Sequence, residues 1–173
     1  MTLTDAQIDR YSRQIIVPRI GGRGQERLLA SRILLAGDAR DIEAPLAYLA
    51  GAGVGTILTV EDQSPGRFDL ALAIVGTEAA RKIADEIAGN REVQALVIAR
   101  LDAPGRIEVI PDARGVDASM LTEVGARSEA ADFIAMIATT EAFKLLAGYA
   151  ENPSRAKIEI EFDGYAATVR VHP

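Results

Sequence analysis

Cysteine is missing from all 173 residues, which excludes disulfides, a Cys-ligated zinc and any catalytic or sulfur-carrying thiolate. Tryptophan is missing too, and aromatics supply only 5% of the chain. A core of this composition has to come from Ala, Leu, Ile and Val packed between helices and a sheet. Positive charge is short: 19 Lys and Arg against 25 Asp and Glu leave a formal charge of −6. Such a chain has no field with which to gather phosphate backbones, so nucleic acid is set aside as a partner. No apolar run approaches the roughly 20 residues that cross a bilayer. The opening MTLTDAQIDRYSRQ also lacks the apolar stretch of a signal peptide. The expectation is a cytoplasmic protein with no membrane partner. The one histidine, His172, has no ligand partners in sight and reads as a solvated end residue.

What is present is alternation of helical and strand-like segments. Thr4 and Gln7 form a capping box and open a helix reaching about Gln14. Pro18 and the pair Gly21-Gly22 are expected to end it, with a second helix over 25–30. Residues 33–36, ILLA, end at Gly37 as a buried parallel strand should. A helix over 42–52, with Leu46, Leu49 and Ala50 on one face, leads through Gly53 and Gly55 to a β-rich run over 56–60. That is a βαβ unit. The alternation continues with a strand over 70–75, a helix over 78–88 and strands over 95–98 and 107–110. A helical turn is expected over 118–121 and a long helix over 129–146, whose apolar face, including Phe133, Ile137, Phe143 and Leu146, reads as core. KIEIEF and YAATVRV alternate around Asp163-Gly164 as a closing hairpin. The fold class expected is α/β: a Rossmann-like, mostly parallel sheet with helices on both faces and a C-terminal antiparallel hairpin. One domain over 1–173 is expected, made of a helical segment (1–31), a Rossmann-like core (32–150) and the hairpin (156–172). The glycines of AGAGVG, 50–55, precede a strand rather than a helix, so they read as element boundaries and not as a nucleotide loop.

The stretch RYSRQIIVPRIGGRGQERLLASRILLAG, 10–37, resembles the opening of the MoeB/ThiF family. These are the adenylyltransferases of molybdopterin and thiamin biosynthesis, relatives of the ubiquitin-type activating enzymes. YLAGAGVGTILTVED, 48–62, and EAFKLLAGYAENPSRAKIEIEFDGYAATVRV, 141–171, resemble the family's second strand with its preceding helix, and its last helix with the final strand pair. The resemblance implies ATP-driven activation of the C-terminal carboxylate of a ubiquitin-like carrier protein, with magnesium, in paired copies of the fold. It also implies a glycine fingerprint after the first strand, where bare backbone lets phosphate reach a helix N-terminus. Here that segment reads Gly37-Asp38-Ala39-Arg40-Asp41-Ile42, with Gly37 alone of the fingerprint glycines and Ala39 and Ile42 in the places of the others. Asp38 and Asp41 add negative charge beside the expected phosphate.

Glu61 or Asp62 matches the family's ribose-holding acid, and Glu78 its magnesium aspartate, without the following Asn. Gln63-Ser64-Pro65-Gly66 runs almost directly into the next strand where the family carries phosphate-binding Arg and Lys. Arg13 matches an arginine that reaches the partner subunit's nucleotide site, with a salt bridge or helix packing as its plain alternative. The family's zinc-binding and sulfur-transfer cysteines have no counterpart. Three readings follow. One is a pseudo-enzyme kept for binding and dimerisation, as a homodimer, a heterodimer with a MoeB/ThiF-type homologue, or a holder of a carrier protein. Another is an adenylyltransferase whose anion site is rebuilt from Arg40, Arg81 and a partner's Arg13, using ATP and magnesium. The last is a small-molecule sensor, for which Asp38, Asp41, Glu61 and Asp62 favour a cationic or hydroxyl-rich ligand.

Overall fold

The computed structural model describes residues 2–62, 66–113, 123–149, 153–162 and 166–172. Helix α1, Asp5–Ile15, opens on the capping box: Thr4 N–H donates to Gln7 Oε1 at 2.9 Å and Gln7 N–H to Thr4 Oγ1 at 3.3 Å. Helix α2 is Gly21–Ala30, so the glycine pair begins it rather than breaking the chain before it. Gly21 is left-handed at φ 58°, which turns the chain into the helix. Then follow β1 (Arg32–Ala36), α3 (Ala39–Ala52), β2 (Thr56–Thr59), a 3-10 turn (Val60–Asp62) and β3 (Phe68–Val75). Helix α4 (Glu78–Ala88), β4 (Val93–Arg100), β5 (Gly105–Ile110), α5 (Ala131–Ala147), β6 (Ala156–Phe162) and β7 (Ala167–His172) complete the chain. The helical turn expected over 118–121 and the turn at Asp163-Gly164 lie outside the described residues.

All seven strands join one sheet in the order β2-β1-β3-β4-β5-β6-β7. The pairings among β2, β1, β3 and β4 are parallel, and those from β4 through β7 are antiparallel. The α/β Rossmann-like class holds, with a larger antiparallel part than a closing hairpin alone. Residues 101–104 are all that join β4 to β5. Four residues reach at most about 14 Å, too little to return to the start of an eight-residue strand, so β5 runs back beside β4. In the parallel half, β3 follows β2 in the chain but lies on the far side of β1.

Strands β3 and β4 are buried on both faces and read as continuous apolar runs. One face packs Leu28 of α2, Leu49 of α3 and Ile134, Ala138 and Phe143 of α5 against Ile33, Leu35, Leu72 and Val97. The other packs Ala84 and Ile87 of α4 against Leu34, Ala71, Ala73 and Leu96. Helices therefore cover both faces. Ala135, Ala138 and Ala142 are buried in α5, whose small side chains let the helix lie close on the sheet. Each fully buried Leu or Ile contributes about 1.5–3 kcal/mol.

Two helical faces differ from the pattern in the sequence. Leu49 is buried as expected, but Leu46 and Ala50 are exposed, and Asp41, Pro45 and Ala52 complete the buried face of α3. Phe133 is 50% exposed because Ile134, one residue on, takes the core direction against β5.

Candidate functional site

The carboxyl ends of β1 and β3 face the N-terminus of α3, the place where an open parallel sheet holds a ligand. Gly37 follows β1 with φ 150°. A Cβ there would lie 2.7 Å from the Ile74 carbonyl oxygen and 2.8 Å from Ile42 Cγ2. Ile42 thus covers the bare backbone that Gly37 would otherwise present. Ala39 and Arg40, the first residues of α3, are exposed. Asp38 takes the N-cap position without a side-chain capping bond, and its Oδ2 is buried with no hydrogen-bond partner.

Asp41, in the first turn of α3, is the anion at this helix terminus. Its side chain is 4% exposed and lies over Gly76, just past β3: a Cβ on Gly76 would collide with the carboxylate and reach 3.1 Å from Arg127 Nη1. Arg127 Nη1 donates to Asp41 Oδ2 at 3.1 Å. Its Nη2 lies 2.8 Å from Oδ1 but off the hydrogen-bonding direction, so that contact is Coulombic. A second carboxylate, Asp132 Oδ1, is 3.3 Å from Nη2. The bond from Asp41 outweighs partial burial and raises the Arg127 guanidinium above its ordinary range. A helix N-terminus favours negative charge over its first turn. Here the chain's own carboxylate supplies it.

A second ion pair braces the neighbouring strand end. Arg100 Nε donates to Asp102 Oδ1 at 3.0 Å and Nη2 to Oδ2 at 2.6 Å, both residues being buried. Arg100 Nη2 also donates to the Glu123 carbonyl at 2.8 Å, and Gly125 N–H to Asp102 Oδ2 at 3.1 Å. Burial alone would raise the Asp102 carboxyl, but the bonds from Arg100 and Gly125 and the charge of Arg100 outweigh it and lower it. This network ties the strand end to the segment that carries Arg127.

The other sequence candidates are already partnered or lie apart. Asp62 turns back on β2, accepting from Thr59 N–H and, at 2.9 Å, from Thr59 Oγ1; the Thr59 backbone bond lowers its carboxyl further than the hydroxyl does. Glu61 beside it is exposed. Glu78 accepts from Arg81 Nε at 2.7 Å, and that bond lowers the Glu78 carboxyl and raises the Arg81 guanidinium. Arg81 also pairs with Asp85. Arg13, in the last turn of α1, is exposed. His172 Nε2 lies 3.9 Å from Glu159 Oε2 on the exposed β7. Among the described residues no group of three His, Asp or Glu side chains converges to hold a metal ion. The sequence reading missed Arg127, Asp132 and the Arg100–Asp102 pair. The one available signal was Asp41 itself, read from the sequence as a negative charge beside the expected phosphate, with no cation assigned to it.

The chain is 35% identical over 130 residues to the "SAMP-activating enzyme E1" of Haloferax volcanii, covering 75% of this chain and 45% of that protein. It is 33% identical over 115 residues to "Adenylyltransferase and sulfurtransferase MOCS3" of Bos taurus, covering 66% and 24%. Among solved structures, E. coli MccB with MccA-N7isoASN superposes at a TM-score of 0.65 over 93% of this chain and 71% of that one, at 11% identity. The chain belongs to the MoeB/ThiF family. No family model matches it. This MoeB/ThiF-type chain spans less than half the length of the curated relatives it matches. Within it, the segment shared with the family's opening is structural: Tyr11 is buried against Gly53, where a Cβ would lie 2.6 Å from the ring. Gly55 brings the backbone against the Leu29 carbonyl. The glycines of 50–55 thus include two that serve close packing.

Proposed function

We propose that this MoeB/ThiF-type chain performs no adenylyl transfer and serves as a binding and dimerisation module. The observation that carries the proposal is the Asp41–Arg127 pair across Gly76, at the helix terminus where a phosphate would need to sit. Asp41 repels a phosphate there, and Ile42 denies it the backbone at Gly37. Magnesium fits no better, since Glu78 is committed to Arg81. On this reading the crevice seats neither ATP nor magnesium. The sheet, α5 and the Tyr11–Gly53 contact are kept, as a fold retained for assembly requires. The partner in this reading is a second copy, a MoeB/ThiF-type homologue or a ubiquitin-like carrier protein. ATP–pyrophosphate exchange, measured with the homologue and a candidate carrier present and absent, tests it. The chain alone should give no exchange, and when mixed with the homologue it should co-elute with it. Exchange by the chain alone overturns the proposal.

An active adenylyltransferase is the second reading, favoured by the name of the MOCS3 relative and by Arg127, whose side chain is 32% exposed at the site. Release from Asp41 would turn that guanidinium toward an incoming phosphate, beside Arg40 and a partner's Arg13. A small-molecule sensor is favoured by one atom, the unpartnered Asp38 Oδ2, which suits a hydroxyl or cationic donor.

A further inference from the structure

Six arginines of this chain meet a carboxylate: Arg81, Arg100, Arg106, Arg127, Arg155 and Arg170. Arg19, Arg23 and Arg27 do not; among the described residues none of them forms an ion pair. They recur every four residues, which brings Arg23 and Arg27 to neighbouring turns of one face of α2, with Arg19 just ahead of the helix. Like charges at that spacing repel by a few tenths of a kcal/mol. In a chain of net charge −6, three unpaired guanidiniums in one place are a concentration against the average.

They surround a depression of about 520 Å³, lined also by Ile20, Gly21, Gly22, Gly24, Ala147 and Gly148. The space beside Gly21 is open: a Cβ there would meet nothing within 4 Å. Two of the arginines are held in place. Arg19, at φ 74°, stacks its guanidinium 5.5 Å from the Tyr149 ring centroid, and Arg27 lies directly against Gly148, where a Cβ would collide with it. The carbonyl end of α5 opposes an anion here in part: Gly148 and Tyr149 N–H groups satisfy the Leu145 and Lys144 carbonyls, while the Ala147 carbonyl faces Gly24. The three guanidiniums are left as the dominant charge.

We propose that this depression binds a small polyanion bearing phosphoryl groups. Guanidinium forks pair with phosphate oxygens two at a time, and three of them match a ligand of two or three charges. The walls come from two short segments, 19–27 and 147–148, so the site suits a compact ligand rather than a tracked chain. It shares no residue with the Gly37–Gly76 crevice, and its fate is independent of the function proposed above.

The test is calorimetric titration of the whole chain with inorganic tripolyphosphate, which carries no nucleoside, with citrate titrated in parallel. Saturable binding at one site is expected, falling with added salt. Arg23→Ala and Arg27→Ala should each weaken it at least about tenfold. Arg91→Ala, an exposed arginine elsewhere, should leave it unchanged, and thermal melts of all variants should match the parent. Citrate should bind more weakly. No saturable binding overturns the proposal, as does binding that survives in the Arg23/Arg27 double variant. Loss on Arg40→Ala with retention in that double variant would move the anion to the crevice and overturn it equally. Citrate binding without tripolyphosphate binding contradicts the phosphoryl assignment.

Discussion

At the residue scale, the Asp41–Arg127 pair has consequences for stability as well as for ligands. Asp41 is almost wholly enclosed while Arg127 reaches the surface, so the two partners are unequal. Removing the cation leaves a buried carboxylate with one oxygen already short of a hydrogen bond. Breaking a fully buried pair costs about 3–5 kcal/mol; with one partner partly solvated, Arg127→Ala should cost about 1–3 kcal/mol. Urea denaturation measures it, and Asp41→Asn should cost less because the amide carries no charge to strand. Asp102 gives a pH prediction. Its carboxyl is lowered in the folded protein, so its contribution is fully present above the ordinary carboxylate value of about 3.9. That contribution is lost as the pH falls through the lower folded value. Asp102→Asn should therefore be less stable at neutral pH and show a flatter decline in acid, read from denaturation midpoints across the acid range.

Among elements, the glycines of α3 and the edge strand make opposite claims. Gly53 is left-handed at φ 86° and touches the Tyr11 ring, so Gly53→Ala meets both backbone strain and a collision. It should cost about 1–3 kcal/mol. Gly51, two residues earlier and helical, has nothing within 4 Å of a Cβ, and Gly51→Ala should stabilise by up to about 1 kcal/mol. Strand β7 is exposed throughout, with Val171 at 67%. Val171→Lys should stay within about 0.5 kcal/mol of the parent, whereas Ile158→Ala, one strand inward, should cost about 2–4 kcal/mol. Thermal or urea melts of the four variants check these differences.

Local chemistry was legible where it decides an element alone. The Thr4–Gln7 box, the apolar runs of β1 and β3 and the Gly148 stop of α5 are all read from neighbours in the chain. Phe133 was misplaced because Phe133 and Ile134 compete for one direction, and only the position of β5 says which enters the core. The crevice at the start of α3 was half legible. Ile42 and the missing glycines are visible in the sequence, but the cation that answers Asp41 lies 86 residues away with no spacing rule to find it.

On the scale of the whole molecule, the sheet changes character at β4. The parallel half presents strand ends and the α3 terminus, while the antiparallel half carries the hairpin, with its outer strand exposed. In the parallel half, an internal ion pair lies over the crevice, while Arg19, Arg23 and Arg27 stand together at α2 and the end of α5. On the proposed reading, a MoeB/ThiF-type fold arranged this way keeps its packing and gives up its anion. Titration of the purified chain with ATP and magnesium, followed by calorimetry with the oligomeric mass recorded alongside, tests that account most directly. The account predicts no heat attributable to the crevice at millimolar ATP, beyond any that Arg23→Ala and Arg27→Ala remove. Micromolar binding that those two substitutions leave intact and Arg127→Ala abolishes would contradict it.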